Sequence, residues 1–350
     1  MMRVAIATDA WEPQVNGVVR SLRETARALA PLGVEVVFVT PEGYRTLPMP
    51  SYPEIRLSLV AHGDIGRRLD GLKPDAVHIA TEGPIGWAAR AACGHRRWSF
   101  TTSYHTRFPE YLAARLPVPL SWSYALLQRF HAAAARTLVS TETLRRELAG
   151  RGFERLGIWS RGVDTELFRP RPDAALGFTG PVFLYVGRVA VEKNLEAFLR
   201  LDLPGTKVVV GDGPARASLQ QRYPAAKFLG VQTGEALARV YAGSDVFVFP
   251  SLTDTYGVVL LEAAASGLPI AAFPVPGPID VVGDTDVAVL DTDLRAACLD
   301  ALTIPRERCR AFGLSRSWRA AAEQFFGNLV GVDGRTLHLG PAAPTAQAAE

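Results

Sequence analysis

A chain of 350 residues, 48% hydrophobic and 21% charged, is long enough for two domains of ordinary size, each burying its own core. A formal charge of +3 does not call for nucleic acid, and Cys93, Cys298 and Cys309 are scattered without metal-ligand spacing, as in a reducing compartment. The apolar run after Met1-Met2-Arg3 is too short for a secretion signal, and the longest one, from Gly257 to Pro276, is broken by Glu262, Gly267 and Pro269, which excludes a membrane span.

In chain order, Val4–Trp11 reads as a first strand running into a loop, and Val18–Gly33 as an amphipathic helix closed by Gly33. Further strands are expected at Val34–Thr40, Asp75–Thr81 and Trp98–Thr106. The pattern restarts with strands at Pro181–Val189, Thr206–Pro214, Ala226–Val231, Ser244–Ser251 and Leu268–Pro274, separated by helical stretches such as Gly234–Ser244. Strands that are nearly all apolar and alternate with helices belong in parallel sheets covered on both faces. Two consecutive series imply two Rossmann-like α/β domains, residues 1–168 and 178–314, joined near Glu166–Phe178. Ser317–Val330 reads as a final helix, and residues 331–350, rich in Ala, Pro and Gly, as a disordered tail.

The most informative segment is Ser251–Ala272, where Asp254 and Glu262 stand eight positions apart around an apolar helix led by Gly257. A carboxylate inside Val-Val-Leu-Leu-Glu-Ala-Ala-Ala is costly unless it accepts hydrogen bonds. The N–H groups of Thr255 to Val258 at the helix start suit a phosphate. Together they suit a nucleotide sugar; the plainer reading is a capping Asp254 and a Glu262 paired with some arginine. Arg188 and Lys193 lie just beyond the strand Pro181–Val189, where open α/β sheets bind ligands, and two cations five residues apart can grip a diphosphate. The plainer reading there is a solvated helix start in which Glu192 pairs with Lys193.

Asn16 and Gly17 occupy the first strand-to-helix turn, where Gly permits close backbone approach and Asn tolerates unusual dihedrals. Arg20 follows one helical turn on, facing the same place. His105 ends an apolar strand, and His78, near Glu82, is a weaker candidate for the same mouth. The stretch Gly211–Arg216 lacks the third glycine of a dinucleotide fingerprint and has Pro214 where a helix should open, which argues against a nicotinamide site. Asp284-Thr285-Asp286 and Asp291-Thr292-Asp293 fall in a turn-rich region and read as solvated turns, not as metal ligands. From Arg107 to Phe130, Phe108, Tyr111, Leu112, Leu116, Trp122, Tyr124 and Leu127 are interspersed with arginines. Such a segment serves either as a packed crossover helix or as an interfacial helix lying among lipid headgroups.

Residues 253–267 resemble the E-x7-E motif of retaining glycosyltransferases of the GT-B architecture (family four type), with Asp254 in place of the first Glu. With residues 101–119 and 158–171, the chain up to about residue 328 is similar to the branch of bacterial glucosyl-, glucuronosyl- and sulfoquinovosyl-diacylglycerol synthases. The resemblance implies two Rossmann-like domains facing each other across a cleft, with the C-terminal helix crossing back to the first. It implies that Asp254 reaches the donor sugar, Glu262 the ribose hydroxyls, and Arg188 and Lys193 the diphosphate, with His105 beside the reacting sugar. Asn16, Gly17, Gly187, Gly211, Val231, Thr255, Tyr256, Gly257 and Val258 complete the implied donor site. No cofactor or metal is implied. A lipid acceptor at a membrane surface, met peripherally from the cytoplasmic side, is implied, with Arg20, Tyr104, Arg107, Phe108 and Arg115 on that side. The implied activity is transfer of a hexose or hexuronic acid, UDP-linked, to a lipid such as diacylglycerol. Alternatives are a GDP-mannose-dependent mannosyltransferase acting on a glycolipid or polysaccharide, and a nucleotide-sugar epimerase on the same architecture.

Overall fold

The structure, a computed structural model, describes residues 1–11, 17–49, 52–105, 109, 119–252 and 256–339. Chain contacts divide it into two compact units, Met1–Ser160 with Trp318–Glu350, and Arg161–Ser317. Each is an α/β unit built on a six-stranded parallel sheet.

The strands of the first unit are β1 (Met2–Ala7), β2 (Val34–Val39), β3 (Thr46–Met49), β4 (Tyr52–Ser58), β5 (Ala76–Ile79), β6 (Thr101–Tyr104), β7 (Arg136–Val139) and β8 (Leu156–Ile158). Six of them form a sheet in the order β2-β1-β5-β6-β7-β8, while β3 and β4 pair antiparallel with each other, a hairpin the apolar patterning did not announce. Val4, Ala5, Ile6 and Ala7 of β1 are all fully buried because helices cover both faces. The helix Gly17–Leu29 turns Leu22 and Leu29 into that core, where Ala322, Phe325 and Phe326 of the helix Trp318–Asn328 meet them. Fully burying each such Leu or Phe stabilises the unit by roughly 1.5–3 kcal/mol. A 3-10 turn then ends at Gly33, in the left-handed region at φ 79°, as expected of a helix-closing glycine.

β6 is a buried strand of the residues Thr-Thr-Ser-Tyr, and its polarity is explained by its partners. His78 on β5 is fully enclosed, sharing hydrogen bonds of 2.9 Å with Thr101 Oγ1 through Nδ1 and with Ser103 Oγ through Nε2. Phe325 and Trp159 stand edge-on to its ring at 4.9 and 6.0 Å. His78 therefore belongs to the interior of the first unit and does not line a mouth. Burial lowers its pKa to about 3, against about 6.5 in an unfolded chain. Because the unfolded state binds the proton more readily, the contribution is intact above pH 6.5 and is lost as the pH falls towards 3. Between pH 6.5 and 4.5 the chain is expected to lose about 2 kcal/mol more than a His78→Gln variant, measured by urea titration at both pH values. Equal losses in the two proteins would remove His78 as the acid-sensitive group.

Two expectations about the chain's layout are corrected. The tail from 331 onward is not disordered over its first nine residues. Val332 N–H donates to Asp75 O at 2.8 Å, its carbonyl accepts from Ser99 N–H, and Leu337 and Leu339 pack beside the first core. Residues 340–350 lie outside the described set. The join falls at 160/161, earlier than the composition suggested, so residues 161–168 belong to the second unit. The cause is Arg310, whose guanidinium donates to the carbonyls of Thr165 (3.1 Å), Phe168 (2.8 Å) and Ala265 (2.7 Å), while Val163 N–H donates to Arg316 O.

The second unit contains β9 (Val182–Val186), β10 (Thr206–Val210), β11 (Lys227–Gly230), β12 (Val246–Phe249), β13 (Ile270–Ala272) and β14 (Ala288–Leu290), in the order β11-β10-β9-β12-β13-β14. From β9 the chain winds outward through β10 to β11, then returns to lay β12 on the other side of β9. The loops after β9 and β12 therefore diverge, and the opening between them is where parallel sheets of this kind receive ligands.

Candidate functional site

The site of the second unit is built at that switch point. Beyond β9 the chain runs through Gly187 and Arg188 into a 3-10 turn, Val191–Lys193. Arg188 is largely exposed, its guanidinium 3.5 Å from Glu192 Oε1, and Lys193 is half-exposed at the end of the turn. The next residue, Asn194, adopts a left-handed φ of 52° and its side-chain amide donates to Pro250 O at 3.1 Å. Asn194 thus ties the cation-bearing loop to the end of β12. The neighbouring loops are stitched together as well: Gly187 N–H donates to Val210 O (3.0 Å) and Gly211 N–H to Gly230 O (2.8 Å). A Cβ on Gly211 would stand 1.9 Å from Gly187 O, so only glycine lets the two loops approach. Val231, following β11, is 65% exposed on the same edge of the sheet.

Across the switch point, Gly257 (φ 72°) opens the helix Val258–Ala265. Val258 and Val259 are half-exposed at its start, while Leu260 to Ala265 are buried. Glu262 is the single charged residue of this helix and is only 3% exposed. Tyr241, on the helix Gly234–Ala242, donates its hydroxyl to Glu262 Oε2 at 3.1 Å. Tyr256 binds the main chain of Arg161: its hydroxyl accepts from Arg161 N–H (3.2 Å) and donates to Arg161 O (3.4 Å). Arg161 is itself 8% exposed, and burial brings its guanidinium pKa down to about 10. Asp254 and Thr255 lie outside the described residues.

In the first unit, Gly17 begins its helix at an exposed position, and among the described residues nothing stands within 4 Å of a Cβ placed there. Arg20 is exposed on the same helix. His105 follows β6, half-exposed, its ring edge-on to Trp159 at 5.5 Å. Tyr104, expected on the acceptor side, is 1% exposed and packs among Tyr124, Leu127 and Phe153, so its ring meets neither an acceptor nor a lipid. Asn16, Arg107, Phe108 and Arg115 lie outside the described residues, as do Tyr111, Leu112 and Leu116. The helix Leu120–His131 divides its apolar residues between two faces. Tyr124, Leu127 and Phe130 are buried, whereas Leu120, Trp122 and Leu126 are 42, 72 and 54% exposed.

Three residues joined the second unit's candidate site through the structure alone: Asn194, Arg161 and Tyr241. Asp9, at the end of β1, accepts from Ile85 N–H (2.8 Å), Gly86 N–H (3.2 Å) and Thr81 Oγ1 (3.0 Å), capping the helix Pro84–Arg96. Burial, opposed by these bonds, raises its pKa. The Asp-Thr-Asp pairs serve the fold. Asp286 pairs with Arg308 (3.1 Å), and Asp293 caps the helix Leu294–Ala301, with Asp291 Oδ1 accepting from Asp293 N–H.

Residues 15–167 match the family model described as Glycosyltransferase Family 4, and residues 180–303 the one described as Glycosyl transferases group 1. A GDP-mannose-dependent alpha-mannosyltransferase of Mycobacterium tuberculosis is 30% identical over 95% of this chain and 98% of its own. The sulfoquinovosyl transferase SQD2 of Arabidopsis thaliana is 31% identical over 77% of this chain and 58% of its own. An alpha-monoglucosyldiacylglycerol synthase of Streptococcus pneumoniae is 25% identical over 86 and 78%. Among solved structures, Anabaena HepE in complex with UDP and glucose superposes with a TM-score of 0.65 at 15% identity, covering 93% of this chain and 98% of that one, which speaks to the fold. With both sheets parallel, both family models matched and relatives aligned nearly end to end, the chain belongs to glycosyltransferase family 4 and has the GT-B fold.

Proposed function

We propose that the protein transfers a hexosyl or hexuronosyl group from a nucleoside diphosphate sugar to a lipid hydroxyl at a membrane surface, with retention at the anomeric carbon. The carrying observation is the pairing, at one switch point, of a cationic loop with a buried carboxylate on the helix that opens at Gly257. Arg188 and Lys193 take the diphosphate, Glu262 the ribose hydroxyls and Asp254 the sugar. Charge that develops on the departing diphosphate meets two cations and the N–H groups at the start of the helix Val258–Ala265, so the barrier falls without a protein nucleophile. The departing phosphate oxygen takes the acceptor proton on the face it leaves. To these the reading adds His105 for the reacting sugar and Gly17 for the phosphate or the acceptor.

The lipid side rests on the exposed face of Leu120–His131 and on charge. The first unit's sequence has 22 Lys and Arg against 17 Asp and Glu; the second has 16 against 18. Trp122 and Leu126, one turn apart, with exposed Arg129 following, suit an anionic headgroup layer. Among the described residues no helix is long and apolar enough to cross a membrane. A second reading, a mannosyl donor carried on GDP, is favoured by the full-length match to the GDP-mannose-dependent relative.

The deciding assay incubates the protein with UDP-glucose, UDP-glucuronate, UDP-galactose or GDP-mannose and vesicles containing diacylglycerol or a glycolipid. Mass spectrometry identifies the product and NMR its anomeric configuration. A new glycolipid with the donor's configuration is expected. An inverted product, or donor turnover only towards soluble sugars, overturns the reading. In the same vesicles, changing Trp122 and Leu126 together to Ser is expected to reduce co-sedimentation several-fold while leaving nucleotide binding intact. High salt should also release the parent protein, at about 1 kcal/mol per interfacial Lys or Arg.

A further inference from the structure

Tyr241, on the helix Gly234–Ala242, is fully buried against the carboxylate of Glu262. Its ring is held edge-on by Phe168 (centroids 5.5 Å, 88°) and tilted against Phe247 (5.8 Å, 40°). The end of its helix is fixed too, because Arg306 donates to Ala242 O (3.0 Å) and Ser244 O (2.7 Å). The phenol O–H therefore has a set position, 3.1 Å from Glu262 Oε2. A fixed donor on one carboxylate oxygen sets the plane of the carboxylate.

We infer that Tyr241 is a positioning residue that aims the Glu262 carboxylate at the ribose hydroxyls of the donor nucleotide, and so helps the enzyme tell a ribonucleotide from its dideoxy form. This rests on the reading of Glu262 as the ribose contact. Tyr241 itself touches no substrate. Tyr241→Phe keeps the ring and its packing while deleting the one donor, which separates aiming from folding.

The experiment is calorimetry with whichever of UDP and GDP the parent binds, set against the 2′,3′-dideoxy form of the same nucleotide. The parent is expected to prefer the ribonucleotide. Tyr241→Phe should weaken the ribonucleotide about tenfold, as for a lost hydrogen bond to a charged group, and the dideoxy form less than about twofold. Glu262→Gln should lose the preference as well, and the double variant should bind like Glu262→Gln alone, since Tyr241 acts only through that carboxylate. Equal weakening of both nucleotides by Tyr241→Phe would mark a structural role and overturn the inference, as would unchanged binding of both. If Glu262→Gln keeps the full preference, the ribose assignment falls and takes the inference with it. If Glu262→Gln abolishes the preference but Tyr241→Phe retains it, only the role of Tyr241 falls.

Discussion

Lys193→Ala is expected to lower turnover about 30- to 1,000-fold while leaving the melting temperature within a degree or two of the parent. The range corresponds to roughly 2–4 kcal/mol lost from a charge-assisted contact with the departing diphosphate. Little of it is folding energy, because Lys193 is half-exposed at the end of a 3-10 turn and Asn194 ties its loop to Pro250 O. Arg188 cannot take over fully. Its guanidinium already has Glu192 Oε1 at 3.5 Å, and it approaches from the other end of the loop. Lys193→Arg should recover part of the rate, since the charge returns on a differently shaped group. On the proposed reading the effect belongs mainly in kcat, because such a contact strengthens as the sugar bond breaks. Steady-state kinetics with a saturating acceptor measure it. Normal turnover in Lys193→Ala would remove this residue from the diphosphate site, and a large fall in melting temperature would show that the loop depends on it for its fold.

What the sequence made legible follows from how local each signal is. Val182–Val186 and Val246–Phe249 are short, apolar and buried throughout, so their strand character is written in consecutive residues. Arg188 and Lys193 stood out by their distance from a strand end, and Glu262 as a lone charge in an apolar helix. β6 was harder: Thr101, Thr102 and Ser103 are buried because His78 and His131 supply their partners, and Thr137 stands 3.0 Å from Thr102 on the next strand. The same holds for the site residues that were missed. Tyr241 meets Glu262 across 21 positions, Asn194 meets Pro250 across 56, and Arg161 meets Tyr256 across 95. No spacing rule reaches that far without the sheet order. Tyr104 misled in the opposite direction. The family resemblance put it on the acceptor side, but it ends a strand that is buried throughout, with its ring against Phe153.

Gly211→Ala tests whether the loops beyond β9 and β10 sit as described. Its new methyl would lie 1.9 Å from Gly187 O, at a φ of 132° that side chains rarely adopt. The contact is with backbone, so no side-chain rotation relieves it, and the loop carrying Arg188 and Lys193 must move away. Overpacking and backbone strain together are expected to cost the second unit roughly 3 kcal/mol. That corresponds to a fall in melting temperature of roughly 6–12 °C for a unit of this size. Activity should suffer more than stability suggests, because a displacement of about 1 Å at a reacting centre can cost about a hundredfold in rate. Gly327→Ala is the control: among the described residues nothing lies within 4 Å of its added methyl, the residue is exposed on the helix Trp318–Asn328, and alanine favours helix there. That variant should melt no lower than the parent and keep its rate. Gly211→Ala with parental stability and turnover would mean that the two loops do not touch. The cation pair would then have no rigid support at the switch point, and the donor-binding reading would lose its geometric basis.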